Sequence, residues 1–137
     1  MLSRLTKRFS NIAPVIREID TYESYAEHIM NGKESLILQW YVDWSEPCNR
    51  LIPILEDLTT KSEGKWALAR LNCDTLPDIA SAMQIKNLPS VYFLHEGKSK
   101  YKFVGIPSEV EFNSFINDVK IFTGHSTEQE VMGLLIT

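Results

Sequence analysis

The stretch Trp44-Ser45-Glu46-Pro47-Cys48 holds the residues of this chain best placed for chemistry. A Cys-x-x-Cys pair at the start of a helix carries a low-pKa thiolate that attacks disulfides through a mixed-disulfide intermediate. Here the first position is Ser45, and only the second thiol, Cys48, is present. A serine hydroxyl ionises far too weakly to substitute, and no histidine is placed by sequence to activate it. The other thiol, Cys73, closes an apolar strand and reads as a small buried hydrophobe lying away from the motif. Two cysteines are too few for a disulfide framework, and a Cys48–Cys73 bridge is not expected. Neither they nor His28, His95 and His125 show metal-ligand spacing, so the histidines read as surface residues and no metal or cofactor is expected.

The elements that must position this stretch follow from the apolar pattern. Val15 to Ile19 alternates as a short strand, and Asp20 with Glu23 forms a capping pair for a helix ending at Asn31-Gly32. Ser35 to Val42 is a nearly continuous apolar run, the signature of a central strand buried on both faces. A helix is predicted from about Pro47 to Ser62, with Leu51, Ile54, Leu55 and Leu58 on its inner side and Pro53 as a kink. Ser45-Glu46-Pro47 makes a good helix start, since serine caps well and glutamate and proline suit the first turn. Trp66 to Asn72 reads as a strand, and Asp74 to Met83 as a short helix opened by Pro77. Val91–Leu94 and Tyr101–Val104 flank Glu96-Gly97 as an antiparallel hairpin. Ser108 and Glu111 form a capping box for a helix buried through Phe112, Phe115, Ile116 and Val119. The resulting order, βαβαβαββα, implies an α/β fold with a mixed central sheet flanked by helices on both faces.

The totals fit one domain of 137 residues with an ordinary 44% hydrophobic content. A net charge of −4 disfavours nucleic acid as a partner. The charge is uneven: Arg4, Lys7, Arg8 and Arg17 face no acid before Glu18, so the first 17 residues carry +4 and the rest −8. On a helix, Leu2, Leu5, Phe9 and Ile12 share a stripe that the basic residues mostly avoid. Residues 1–14 therefore read as a basic amphipathic presequence of mitochondrial type. The same stripe suits a membrane interface, giving an expected contact through residues 1–13. No apolar run approaches the ~18–20 residues that span a bilayer, so no transmembrane helix is expected. At the other end, residues 123–137 form an extension in which Ser126 with Gln129, or Thr127 with Glu130, caps a short helix carrying Val131, Leu134 and Leu135 on one face.

From about Val15 to Phe122 the chain resembles the thioredoxin family. The resemblance rests on the degenerate Trp-Ser-Glu-Pro-Cys motif, Pro53, the run Ala69-Arg70-Leu71-Asn72-Cys73-Asp74, Asn87-Leu88-Pro89-Ser90 before the hairpin, and Gly105 after it. It implies a thioredoxin fold over 15–122. It also implies that Pro89 is cis beside the motif, that Leu88 offers backbone groups to an extended peptide, and that Trp44 flanks the groove so formed.

Against the family pattern the departures agree in direction. The buried aspartate that accepts the second cysteine's proton is matched by Gln39, which takes up none. The usual lysine is matched by Arg70. Between the motif positions stands Glu46, which with Asp43 places negative charge beside Cys48, the wrong sign for a reactive thiolate. No catalytic residue is expected; Trp44, Ser45, Cys48 and Pro89 are remnants of a site. These features lead to the expectation of a redox-inactive, non-enzymatic accessory subunit bound to other protein subunits of a large mitochondrial complex. A respiratory-chain complex at the matrix or the matrix face of the inner membrane is favoured, since the acidic body suits it better than a ribosome. The alternatives are a free peptide-binding adaptor or chaperone using Trp44, Leu88 and Pro89, and a residual monothiol–disulfide oxidoreductase through Cys48.

Overall fold

A computed structural model describes residues 15–124, so the readings for residues 1–14 and 125–137 lie outside the described residues. The elements are β1 (Ile16–Ile19), α1 (Tyr22–Tyr25, continued by a π-helical turn Ala26–Met30), β2 (Ser35–Tyr41), α2 (Glu46–Lys61), β3 (Ala67–Asn72), α3 (Pro77–Ala82), β4 (Ser90–His95), β5 (Lys98–Val104) and α4 (Glu109–Phe122). The strands form one sheet in the order β1-β3-β2-β4-β5. β1, β3 and β2 run parallel, while β4 and β5 join antiparallel. This is the expected mixed α/β sheet, with β2 at its centre. Leu36 to Tyr41 is buried throughout because both faces of that strand are covered.

Alternation along β2 splits the core in two. Leu36, Leu38 and Trp40 pack with Ile29 of the π-helical turn and with Leu76 and Ala80 at α3. Ile37 faces the opposite way, toward Leu51 and Leu55 of α2 and Phe115, Ile116 and Val119 of α4. Within α2 the buried positions are Cys48, Leu51, Leu55 and Thr59, whereas Ile54 is exposed, against the expectation that it faces inward. Leu58 is half-buried against the same cluster.

Two local readings change at α1. Its cap is Thr21, not Asp20: the Thr21 hydroxyl accepts from Ser24 N–H at 3.0 Å, in extended geometry. The helix also does not run uniformly to Asn31. It widens to π spacing, with Asn31 N–H donating to the Ala26 carbonyl at 2.9 Å. Gly32 then passes so close beneath the last turn that a Cβ would lie 2.1 Å from the His28 carbonyl oxygen. No other residue fits that exit. The histidine readings shift as well: His95 is half-buried, and its Nδ1 is 2.9 Å from Ser35 Oγ.

Candidate functional site at the start of the second helix

β2 delivers the motif to the start of α2. Ser45 is the N-cap, its hydroxyl accepting from Cys48 N–H at 3.4 Å, and Pro47 sits in the first turn. Asn49 Nδ2 donates to the Asp43 carbonyl at 3.0 Å, tying the preceding loop to the helix. The Glu46 carboxylate turns outward to Arg50 at 2.7 Å. Its charge is therefore compensated on the helix surface, in the exposed setting where such pairs contribute little. Cys48 is completely buried. The hydroxyl that stands where a nucleophilic thiol would be is thus engaged with the backbone of the helix it opens.

Beneath the motif, Gln39 is also completely buried. Its Nε2 donates to the Cys48 carbonyl at 3.3 Å, while its Oε1 has no partner among the described residues. A side chain that would accept a proton as an aspartate acts here as a neutral strut between β2 and α2. Its register neighbour on β3 is Arg70. That guanidinium lies 4.3 Å from the Tyr41 ring centroid and 3.5 Å from Glu18, whose carboxylate accepts from the Tyr41 hydroxyl. Burial, and then the bond to Glu18, push the Tyr41 phenol up to about 12.

Cys73 is nearer the motif than expected. Its N–H donates to the Tyr41 carbonyl at 2.9 Å. On either side of it, Asn72 Nδ2 reaches Asp43 Oδ2 at 3.4 Å, and Asp74 Oδ2 accepts from Trp44 Nε1 at 3.1 Å. The parallel pairing of β2 with β3 brings both strand ends to one edge of the sheet, which a reading by sequence distance misses. Cys73 is half-buried, and both cysteines are free thiols. Burial, then Asp74 and the nearby Cys48, raise the Cys73 thiol to about 11.

The Leu88–Pro89 bond is cis, and the Pro89 carbonyl accepts from Gly105 N–H at 2.8 Å. Pro89 lines a groove of about 250 Å³ with Pro47, Ile54, Ile106, Pro107 and Phe112. Leu88 packs instead against the core under α1 and α3, and neither it nor Trp44 lines that groove. Trp44 is 78% exposed, Ile106 72% and Val110 79%, so apolar side chains stand exposed at the motif and around the start of α4. Of the five expected residues, Trp44, Ser45 and Cys48 stand together at the α2 entry, Pro89 shares the groove with Pro47 of that entry, and Leu88 lies apart. Ile106 and Pro107 were not expected there, and Phe112 was expected only as a buried residue of α4. The one signal for them was an apolar Ile-Pro pair wedged between Gly105 and the Ser108 cap.

A parallel β1-β3-β2 unit followed by an antiparallel β4-β5 hairpin, with a cis-proline loop facing a helix-capping motif, defines a thioredoxin-fold protein. The thioredoxin family model matches residues 16–118, and the chain belongs to that family. It is 28% identical over 113 residues to a Caenorhabditis elegans protein described as probable thioredoxin-2, covering 82% of this chain and 77% of that one. It is 27% identical over 92 residues to mouse mitochondrial thioredoxin, covering 67% of this chain and 55% of that one. A mutant thioredoxin from Halobacterium salinarum shares the fold at a TM-score of 0.67 and 19% identity, with 82% of this chain and 96% of that chain covered.

Proposed function

We propose that this protein is a redox-inactive member of its family that serves as an accessory subunit of a large mitochondrial assembly, a respiratory-chain complex before any other. The observation that carries this reading is Ser45: its hydroxyl caps α2 where exchange chemistry needs an exposed thiolate, and the remaining thiol of the motif is fully buried. Gln39 in place of a proton-accepting carboxylate supports the same reading. The basic amphipathic stripe of residues 1–14 supports a mitochondrial address, and similarity to a mitochondrial thioredoxin agrees with it. Trp44, Ile106 and Val110 supply exposed apolar surface for a partner subunit. The test is the native size of the endogenous protein after gentle solubilisation of mitochondria. Migration with a very large assembly is expected, and the co-migrating proteins name it; migration near 16 kDa sinks the reading.

A second reading is a free adaptor that holds extended peptides, favoured by the groove between Pro47, Pro89 and Ile106. It predicts that Ile106→Glu, on the exposed wall of that groove, abolishes client binding in pull-downs. Clients retained by that variant place their binding elsewhere. For a residual monothiol enzyme, burial of Cys48 predicts negligible labelling by iodoacetamide near neutral pH in the folded state.

A further inference from the structure

The sheet face under α1 and α3 is only partly roofed. Between the π-helical turn, the end of α3 and the β4–β5 hairpin lies a cavity of about 290 Å³, whose lining includes Ile29, Met30, Trp40, Met83, Tyr92 and Leu94. Met30 and Met83 stand about half exposed at 56% and 50%. Trp40 is completely buried, yet its indole N–H has no acceptor among the described residues. Buried tryptophan donors ordinarily find one. The wall is also irregular where it meets the opening, since Ile29 and Met30 belong to the π-helical turn. Single π turns recur at functional sites.

The end of α4 lies close to this opening, though on the other face. Phe122, in its last turn, packs edge-on against His95 at 4.8 Å and Phe93 at 5.4 Å, ring centroid to centroid. His95 pairs with Lys98 across the hairpin, and Gly97 and Ser99 of that hairpin line the cavity. The last described turn therefore lies beside the hairpin. Packed layers are about 10 Å apart, and six extended residues span about 20 Å. Residues 125–130 are thus long enough to carry the chain around the tip to the open face. The next six, Val131-Met132-Gly133-Leu134-Leu135-Ile136, are uncharged and apolar. Glu128 and Glu130 precede them. On the edge strand β5 stand Lys98, Lys100 and Lys102, all exposed and none in an ion pair among the described residues.

We propose that residues 131–136 dock into this cavity of their own molecule and complete its second core. Glu128 and Glu130 pass the β5 lysines on the way. Apolar burial supplies the attraction, and tethering supplies a high effective concentration. This inference does not rest on the accessory-subunit reading; it removes the C-terminal segment from the surfaces available to a partner.

The test uses the full chain with methyl-labelled methionine, of which there are four: Met1, Met30, Met83 and Met132. Leu134→Asp with Leu135→Asp is expected to move the Met30 and Met83 methyl resonances and to increase their broadening by a soluble paramagnetic agent. The wild-type positions are expected to be independent of protein concentration. Unmoved Met30 and Met83 resonances overturn the proposal. So do wild-type positions that change on dilution, which would point to a second copy as the occupant. Should the double variant fail to fold, Leu134→Cys with Met83→Cys in a Cys73→Ser background replaces it. Mild oxidation is expected to give a fast-migrating cross-linked monomer; a cross-linked dimer, or no cross-link, overturns the proposal.

Discussion

On one face of the sheet, α2 and α4, of 16 and 14 residues, bring Leu51, Leu55, Phe115, Ile116 and Val119 against Ile37, Val91 and Phe93. Phe103 adds ring contacts to Phe112 and Phe115 at 5.9 and 5.1 Å. On the other face, α1 has four residues before its five-residue π turn, and α3 has six. Those short elements cover Leu36, Leu38 and Trp40 but leave the cavity beside Tyr92 and Leu94. Helix length decides the difference. Three or four turns present enough side chains to close a face, while one or two turns leave part of it to something else. The scaffold can thus be intact on one side while the other offers a place for added chain.

The largest effect that sharpens this contrast comes from truncating matched leucines. Leu55→Ala, on the closed face with no exposed surface, is expected to lower unfolding free energy by about 3–5 kcal/mol in denaturant titrations. Leu94→Ala, beside the cavity, should cost only about 2 kcal/mol, because less packing is lost where space already exists. Equal losses would mean that the open face is as tightly filled as the other.

Gly97→Ala comes next. Gly97 has φ +78°, and an added Cβ would lie 3.3 Å from the Met30 carbonyl oxygen and 3.4 Å from that of Ile29. A cost of about 1–2 kcal/mol is expected from the left-handed conformation, with a shift of the Met30 methyl signal as the hairpin is pushed off the π turn. Loss of stability without that shift would separate backbone strain from the cavity wall.

Ser45→Ala should then cost about 1 kcal/mol in thermal or chemical unfolding, with Ser45→Gly costing only a few tenths. That ranking is the mark of a cap. A Ser45→Ala variant as stable as the parent would break the reading of the old motif as a helix start.

The smallest effect is a pH slope. Tyr41 titrates at about 12 in the folded protein against an ordinary 10, so the fold favours its protonated form. The associated stability is complete below pH 10 and is lost as pH rises through 12. Cys73, raised from 9 to about 11, adds loss of the same sign between pH 9 and 11. Tyr41→Phe should flatten the decline in melting temperature above pH 10 and leave the Cys73 portion in place. An unchanged profile would remove Tyr41 from the linkage.

Much of this arrangement was legible from residue order because local chemistry and tertiary structure agree. Ser35 to Val42 is apolar at nearly every position, and only a central strand accommodates that. Ser108 with Glu111, and Ser45 before Pro47, announce their helices by the side-chain oxygen that each first turn requires, and both hydroxyls make the expected bond. What escaped depends on register or on competition between neighbours. Asp20 and Thr21 are both good caps, and the choice of Thr21 follows from where β1 ends. Cys73 approaches the motif only through the β2–β3 pairing, which nothing near Cys73 encodes. Ile54 and Ile106 look like core residues by composition, yet both stand exposed on the groove wall. The groove was therefore expected in the right place through Pro89 but with the wrong walls, since neither Leu88 nor Trp44 lines it.

The three tryptophans occupy three unlike surroundings. Trp44 is exposed and bonded to Asp74, Trp66 is buried with its indole N–H on Thr59 Oγ1 at 3.2 Å, and Trp40 is sealed in the core below the cavity. The protein thus carries its own optical probes. Acrylamide should quench the Trp44 emission alone, so loop motions at the motif are separable by fluorescence lifetime from events in the interior. Occupation of the cavity should register at Trp40, whose emission responds to a change in the packing beside it.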